Sequence, residues 1–209
     1  MRRPDASVVF GCAAVLLGYP SEDFAGDLEA VAEAVRRLPS GRPRAGLASA
    51  VGWLKAMGGM DPAATYVDTF DMRRGTSLYL TYYRHGDTRE RGMALTALVD
   101  AFRQAGFAVV PGELPDFLPA LLELAASHPA GAAVLGEHRM ALDALALALE
   151  ERGSGYAQVV RSVIEALPGP RRADRRALDR YRAQGPPSEQ VGLEPFAPPS
   201  VVAGEVARR

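Results

Sequence analysis

The chain has 209 residues, 48% of them hydrophobic, with 24 basic and 25 acidic side chains and a formal net charge of −1. That length suits one globular domain, or one domain plus a tail, with a sizeable core, and the bulk charge calls for neither nucleic acid nor an acidic membrane. The charge is uneven: from Arg171 onward eight arginines face five acids, a net of +3, so the first 170 residues carry −4, a mildly acidic body suited to a cationic partner.

Arg2 and Arg3 ahead of the apolar stretch 8–17 give a faint likeness to a signal peptide, and Val9-Phe10-Gly11-Cys12 to a lipoprotein cleavage site. Asp5 interrupts the approach, the apolar run before Cys12 is short, and no small-x-small cleavage site follows, so both readings fail. Val8, Cys12, Val15 and Leu16 instead fall at i, i+4, i+7 and i+8, which predicts a helix with those side chains inward. Tyr19-Pro20-Ser21 breaks it, and Ser21 is the expected N-cap of the next helix, where Phe24, Leu28, Val31, Val35 and Leu38 form a stripe. After a turn at 39–43, Leu47, Val51, Leu54 and Met57 mark a third helix, with Gly58-Gly59 as its stop. Asp61-Pro62 opens another, a cap followed by proline in the first turn.

Residues 66–83, rich in aromatics and threonine, read as short helical turns. Asp87 with Glu90 predicts a capping box for a helix bearing Leu95, Leu98, Val99 and Phe102 and ending at Gly106. A proline-bounded loop covers 109–115. Helices are expected over 116–127, with Asp116 as its cap, and as one continuous segment over 130–152, with Leu135, His138, Leu142, Leu145 and Leu149 aligned. His128, at a helix end, is a site where partial positive charge suits the dipole. Val159, Val160, Val163, Ile164 and Leu167 mark a further helix. The domain so built spans 1–168. A charged helical extension over 169–184 is supported by Arg171–Asp174 and Arg175–Asp179 pairs, and a proline-rich disordered tail covers 185–209. Helices joined by short loops without alternating strands indicate an all-α globule or bundle. No apolar stretch approaches the ~18 residues needed to cross a membrane, which points to a soluble, cytoplasmic protein.

Catalytic machinery is not legible. Cys12 is the only cysteine, so there is no intrachain disulfide and no CxxC pair; it belongs to an apolar helical face, as packing. His85, His128 and His138 lack zinc-site spacing, and His138 reads as a core histidine. There is no glycine-rich phosphate loop and no GxSxG elbow. The expectation is a protein that is not an enzyme and holds no metal or cofactor.

Two segments stand out. Residues 66–92 concentrate four of the seven tyrosines among alternating acids and arginines. They serve either as a helix–loop–helix junction with aromatics inward, or as a recognition surface built from the residue types that anchor interfaces. The interleaved acids Asp68, Asp71, Asp87 and Glu90 would repel a phosphate backbone, which argues against RNA. In residues 113–124, Asp116 and Pro119 are ordinary helix-start residues. Equally, Glu113, Asp116 and Glu123 set carboxylates beside leucines, as in a groove for a basic amphipathic peptide. Physical chemistry alone leaves both pairs of readings open.

The motifs Leu16-Leu17-Gly18-Tyr19-Pro20, Tyr66-Val67-Asp68-Thr69-Phe70-Asp71, Ser77-Leu78-Tyr79-Leu80-Thr81-Tyr82-Tyr83, His85-Gly86-Asp87-Thr88-Arg89 with Arg91-Gly92, and Glu113-Leu114-Pro115-Asp116 with Leu118-Pro119 resemble, in order and spacing over about residues 8–165, the NarJ branch of the redox-enzyme chaperones that include the TorD and DmsD types. The resemblance implies an all-α chaperone of the TorD-like fold. It would bind the N-terminal, twin-arginine-like segment of the apo nitrate reductase catalytic (alpha) subunit and keep that subunit open for molybdenum cofactor insertion before membrane docking. The alternative is leader-peptide proofreading for another molybdoenzyme. The client-binding residues so implied are Asp71, Tyr79, Tyr82, Tyr83, His85, Asp87, Glu113, Asp116, Phe117 and Glu123, in a protein expected to be monomeric and to insert in no membrane. The family usually has histidine after Glu-Leu-Pro-Asp; here Phe117 stands in its place, offering apolar contact instead of an imidazole hydrogen bond.

Overall fold

The spacing of apolar residues places the helices. The computed structural model describes residues 3–57 and 61–187, and among them eleven α-helices follow one another with no strand. They are α1 (Arg3–Leu17), α2 (Phe24–Arg37), α3 (Arg42–Ala56), α4 (Pro62–Tyr66), α5 (Leu80–His85), α6 (Arg89–Gln104), α7 (Leu118–Ser127), α8 (Pro129–Glu137), α9 (Arg139–Glu151), α10 (Tyr156–Ala166) and α11 (Arg172–Gln184). A π-helical turn (Val67–Asp71) and a 3-10 turn (Arg74–Thr76) join α4 to α5, so the aromatic stretch is built of short helical turns as expected.

α1 lies at the centre, packed on α7 and α10 with α2 and α3 alongside. Its buried row is Val9, Phe10, Ala13, Leu16 and Leu17, with Cys12 also inside. The expected row is thus corrected: Val8 and Val15 face solvent. α1 is apolar on nearly every side, so periodicity alone leaves its phase open. The other stripes lie where the spacing puts them. Leu28, Val31 and Val35 of α2, Leu47, Val51 and Leu54 of α3, and Val159, Val160, Val163 and Ile164 of α10 are buried. Each such side chain contributes about 1.5–3 kcal/mol when fully buried. α10 sits between α3 and α9, and α9 in turn carries α5 and α11.

Helix ends depart from expectation more often. Asp61 caps α4 as read, accepting from Ala63 N–H at 2.9 Å. α2, however, is capped by Asp23, which accepts from Gly26 N–H at 3.1 Å, while the Ser21 hydroxyl bonds the Asp27 carboxylate. α6 begins after Thr88 with no side-chain cap, so the Asp87–Glu90 capping box does not form. Asp87 is drawn instead to Arg74 and Arg91, at 3.6 and 3.7 Å. His128 ends α7 and caps α8, its ring Nδ1 accepting from Ala130 N–H at 3.2 Å, which requires a ring nitrogen without a proton. The predicted helix 130–152 is two helices that part at His138, where backbone and ring both turn to the Val134 carbonyl. α8 is fixed against α7 at Gly131, where a Cβ would lie only 2.6 Å from the Leu124 carbonyl carbon. α11 packs on α9, with Ala177, Leu178 and Tyr181 inward, and Asp174 accepts from the Arg171 backbone N–H at 2.8 Å and from its guanidinium. Arg175 and Asp179 do not reach each other as an ion pair among the described residues. Gly58-Gly59 and residues 188–209 of the tail lie outside the described residues.

Candidate functional site

The fold brings the two distinctive segments together. Leu80 N–H donates to the Asp116 carbonyl at 3.0 Å and Leu118 N–H to the Leu78 carbonyl at 2.8 Å, an antiparallel bridge that sets Tyr79 opposite Phe117. Their rings meet at 5.5 Å between centroids. α7 therefore starts at Leu118 rather than at Asp116, and Asp116 caps nothing.

Asp116 is fully buried and serves as the knot of this junction. Its Oδ2 accepts from the Thr81 N–H at 3.2 Å, from the Thr81 hydroxyl, and from Arg91 Nη2 at 3.4 Å. Arg91 also donates from Nε to Thr81 Oγ1 at 3.1 Å and lies 6.0 Å from the Tyr79 ring centroid. A buried carboxylate needs such donors, because taking an unpaired charge out of water costs several kcal/mol. Asp116 Oδ1 is buried without a partner among the described residues. Arg91 thus ties the start of α6 to α5 and to the approach of α7.

Above this knot the surface is aromatic and acidic. Tyr79 is 37% exposed and Phe117 half-buried. Burial raises the Tyr79 phenol above its ordinary value, and the negative charges of Asp116, Glu113 and Asp71 push it further. The same exposed carboxylates, Asp71 and Glu113, act on the Tyr66 phenol, also raised chiefly by burial. Both acids thus act on two phenols of the same aromatic stretch. Asp71 stands there because the π-helical turn ends on it, while Phe70 of the same turn packs inward on Tyr66 and Tyr156. Beside Glu113 opens a groove of about 430 Å³ walled by Val99, Phe107, Val109, Val110 and Pro115. A second hollow, of about 500 Å³, lies elsewhere between α2 and α3, with Glu22, Glu29 and Asp61 around apolar Phe24 and Leu54.

Not every residue singled out from the sequence reaches this surface. Tyr83 is buried, its hydroxyl donating to the Ser77 carbonyl at 2.9 Å and its ring packed on Tyr181, and Tyr82 is buried beside it. His85 ends α5 with its Nδ1 3.5 Å from the Glu90 carboxylate and without a hydrogen bond. Asp87 pairs with Arg91 behind the platform. Glu123 is exposed on α7 with no contact joining it to the rest among the described residues. Arg91 and Thr81 complete the junction although neither stands out as a binding residue from the sequence. Arg91 lies four residues after Asp87, a helical ion-pair spacing that was available. The partnership of Thr81 with Asp116 crosses 35 residues and had no local signal.

Burial pushes the Cys12 thiol up to about 11, and no group of three or more His, Cys, Asp or Glu able to hold a metal occurs among the described residues. No helix there is long and apolar enough to cross a membrane.

Comparison with known proteins places these features in context. The family model described as "Nitrate reductase delta subunit" matches residues 37–161, which contain the whole junction. The chain is 39% identical over 158 residues to the nitrate reductase-like protein NarX of Mycobacterium tuberculosis, covering 75% of this chain but only 24% of that protein. It is 31% identical over 172 residues to the probable nitrate reductase molybdenum cofactor assembly chaperone NarJ of Bacillus subtilis, covering 80% of this chain and 92% of that one. To the nitrate reductase molybdenum cofactor assembly chaperone NarJ of Escherichia coli it is 40% identical over 106 residues, half of this chain and 45% of that one.

Proposed function

The chain belongs to the nitrate reductase delta subunit family, with NarJ-type assembly chaperones among its relatives, and from that membership and the site we propose that it is a client-binding chaperone, not a catalyst. Its client is the apo alpha subunit of nitrate reductase, grasped in the cytoplasm at a basic amphipathic N-terminal segment and kept open for molybdenum cofactor insertion before membrane docking. The observation that carries this reading is the Tyr79–Phe117 ring pair at the surface, with the Asp71 and Glu113 carboxylates near enough to act on the Tyr79 phenol.

The physical logic follows from the residues. A peptide helix with one apolar face lays that face on the aromatic platform and along the groove of Val99, Phe107 and Val110. Its cationic residues reach Asp71 and Glu113, which gives orientation and faster association more than raw affinity. The buried Asp116–Thr81–Arg91 knot holds the platform in place before binding, which reduces the ordering cost. Asp116, Asp87, Tyr82 and Tyr83 act from behind it, and Phe117 supplies apolar contact.

Calorimetric titration with a peptide covering the N-terminal segment of the nitrate reductase alpha subunit tests the proposal. Saturable 1:1 binding is expected. Tyr79→Ser with Phe117→Ser should weaken it by about 10-fold or more, the scale of aromatic anchors in interfaces. Glu123→Lys should leave it nearly unchanged. Undiminished binding by the platform variant, with loss in Glu22→Lys instead, would move the site to the hollow between α2 and α3.

A further inference from the structure

α11 has a face that neither the fold nor the client site uses. At 100° per residue, Arg172, Arg175, Arg176, Arg180 and Arg182 fall within one arc of roughly 160° and along about 15 Å of helix. All five are exposed. The opposite side, Asp174, Ala177, Leu178 and Tyr181, turns toward the body. Exposed Arg84 of α5 lines the same hollow as Arg180 and Tyr181, extending the basic surface.

Several other exposed arginines of the protein meet acids: Arg36 and Arg37 meet Glu33, Arg42 meets Glu165, and Arg103 meets Asp100. On α11 only Arg171, at the helix start, has such a partner, Asp174. The five arginines of the outer face form no ion pair among the described residues, although the body as a whole is acidic. Asp179 is the single acid on that face. Concentrating unpaired like charges on one helix costs self-repulsion, which an anionic surface would relieve. The matched family region ends at residue 161, so α11 lies beyond it.

We propose that the arginine face of α11 is an electrostatic docking surface for an anionic lipid membrane. The chemistry favours lipid over a protein partner because the face offers no exposed aromatic or large aliphatic anchor between its arginines, whereas protein interfaces centre on such anchors. It favours lipid over single-stranded nucleic acid because no aromatic side chain stands there for base stacking. Charge alone suffices at an anionic bilayer, and the apolar side of α11 is committed to the core, so the protein docks without inserting. The Tyr83–Tyr181 contact links α11 to α5, the helix that carries Thr81 of the client junction. Docking through α11 would hold that junction close to the bilayer. This inference does not depend on the peptide-binding reading.

Co-sedimentation of the full chain with phosphatidylglycerol-containing vesicles, against pure phosphatidylcholine vesicles, tests it. Binding to the anionic vesicles alone is expected at low ionic strength, with loss at high salt. Each arginine near the surface is worth about fivefold in partitioning, so R175A/R176A/R180A should lower it on the order of 100-fold. The substituted side chains are exposed and their mutual repulsion is relieved, so helix content should hold and the thermal midpoint should not fall. R36A/R37A, which removes paired arginines of α2, should partition like the parent. No anionic-vesicle binding, equal binding to neutral vesicles, or undiminished partitioning of the triple variant would overturn the proposal. So would displacement from vesicles by a lower phosphate concentration of duplex DNA, which would mark the face as a nucleic-acid surface.

Discussion

Arg91→Ala is the perturbation that bears most directly on how the platform is held. Arg91 donates to Thr81 Oγ1 at 3.1 Å and to Asp116 Oδ2 at 3.4 Å, and its guanidinium approaches Asp87 at 3.7 Å. Removing one partner of a buried ion pair costs about 3–5 kcal/mol. Two features reduce that figure here. Asp116 keeps both Thr81 donors, and the Arg91 side chain is 20% exposed. We therefore expect a loss of about 2–3 kcal/mol, which in a chain of 209 residues is a fall in melting midpoint of roughly 5–10 °C. Urea denaturation followed by far-UV circular dichroism reads the free energy directly. In an Asp116→Asn background the same substitution should cost less, with a coupling of about 1–2 kcal/mol, because the charge left behind is gone. A change within about 0.5 kcal/mol in Arg91→Ala, the usual range for surface substitutions, would refute the reasoning, as would equal losses in both backgrounds.

Further predictions rest on single contacts. Gly131→Ala should destabilise by at least ~2 kcal/mol, the scale of overpacking, since the added Cβ meets the backbone of Ala125 and Leu124 at the α7–α8 crossing; Gly136→Ala, which meets nothing, is the comparison in the same melt. Burial, with Arg84 adding to it, lowers the His138 imidazole below its ordinary 6.5, against the opposing Val134 carbonyl and the Glu137 and Asp116 charges. The unfolded chain then takes up that proton first. Stability should fall as pH drops below 6.5 and level off below the folded value, a slope that denaturant melts of His138→Gln should lack. The buried Cys12 thiol, raised to about 11, should resist iodoacetamide at neutral pH in the folded protein and react once urea exposes it. Equal labelling in both states would contradict its burial.

The sequence made some parts of this molecule legible and hid others for physical reasons. Stripes such as Leu28, Val31 and Val35 are local and repeat at the helical period, so they can be read directly. Phase in α1 could not, because its apolar residues surround the helix. Asp87 and Asp116 each sit where a cap would, yet both turn to Arg91. A charge-assisted contact from a distant element outweighs a local cap of about 1 kcal/mol. The break at His138 is likewise tertiary, set by the Gly131 crossing and by Arg139 reaching the Pro168 carbonyl at 2.8 Å. By residue type Tyr83 reads equally as a core aromatic or a surface contact, and in the fold its hydroxyl anchors the loop at Ser77 from inside. The Tyr79–Phe117 pair could be named residue by residue, but its juxtaposition required the fold.

The central claim is tested most directly by the molybdenum content of nitrate reductase alpha subunit purified from cells that lack this chain, complemented with the parent or with Tyr79→Ser/Phe117→Ser. The alpha subunit should be made but largely molybdenum-free without the chain, loaded with the parent, and poorly loaded with the platform variant at equal expression. Full molybdenum content in the absence of the chain would contradict it.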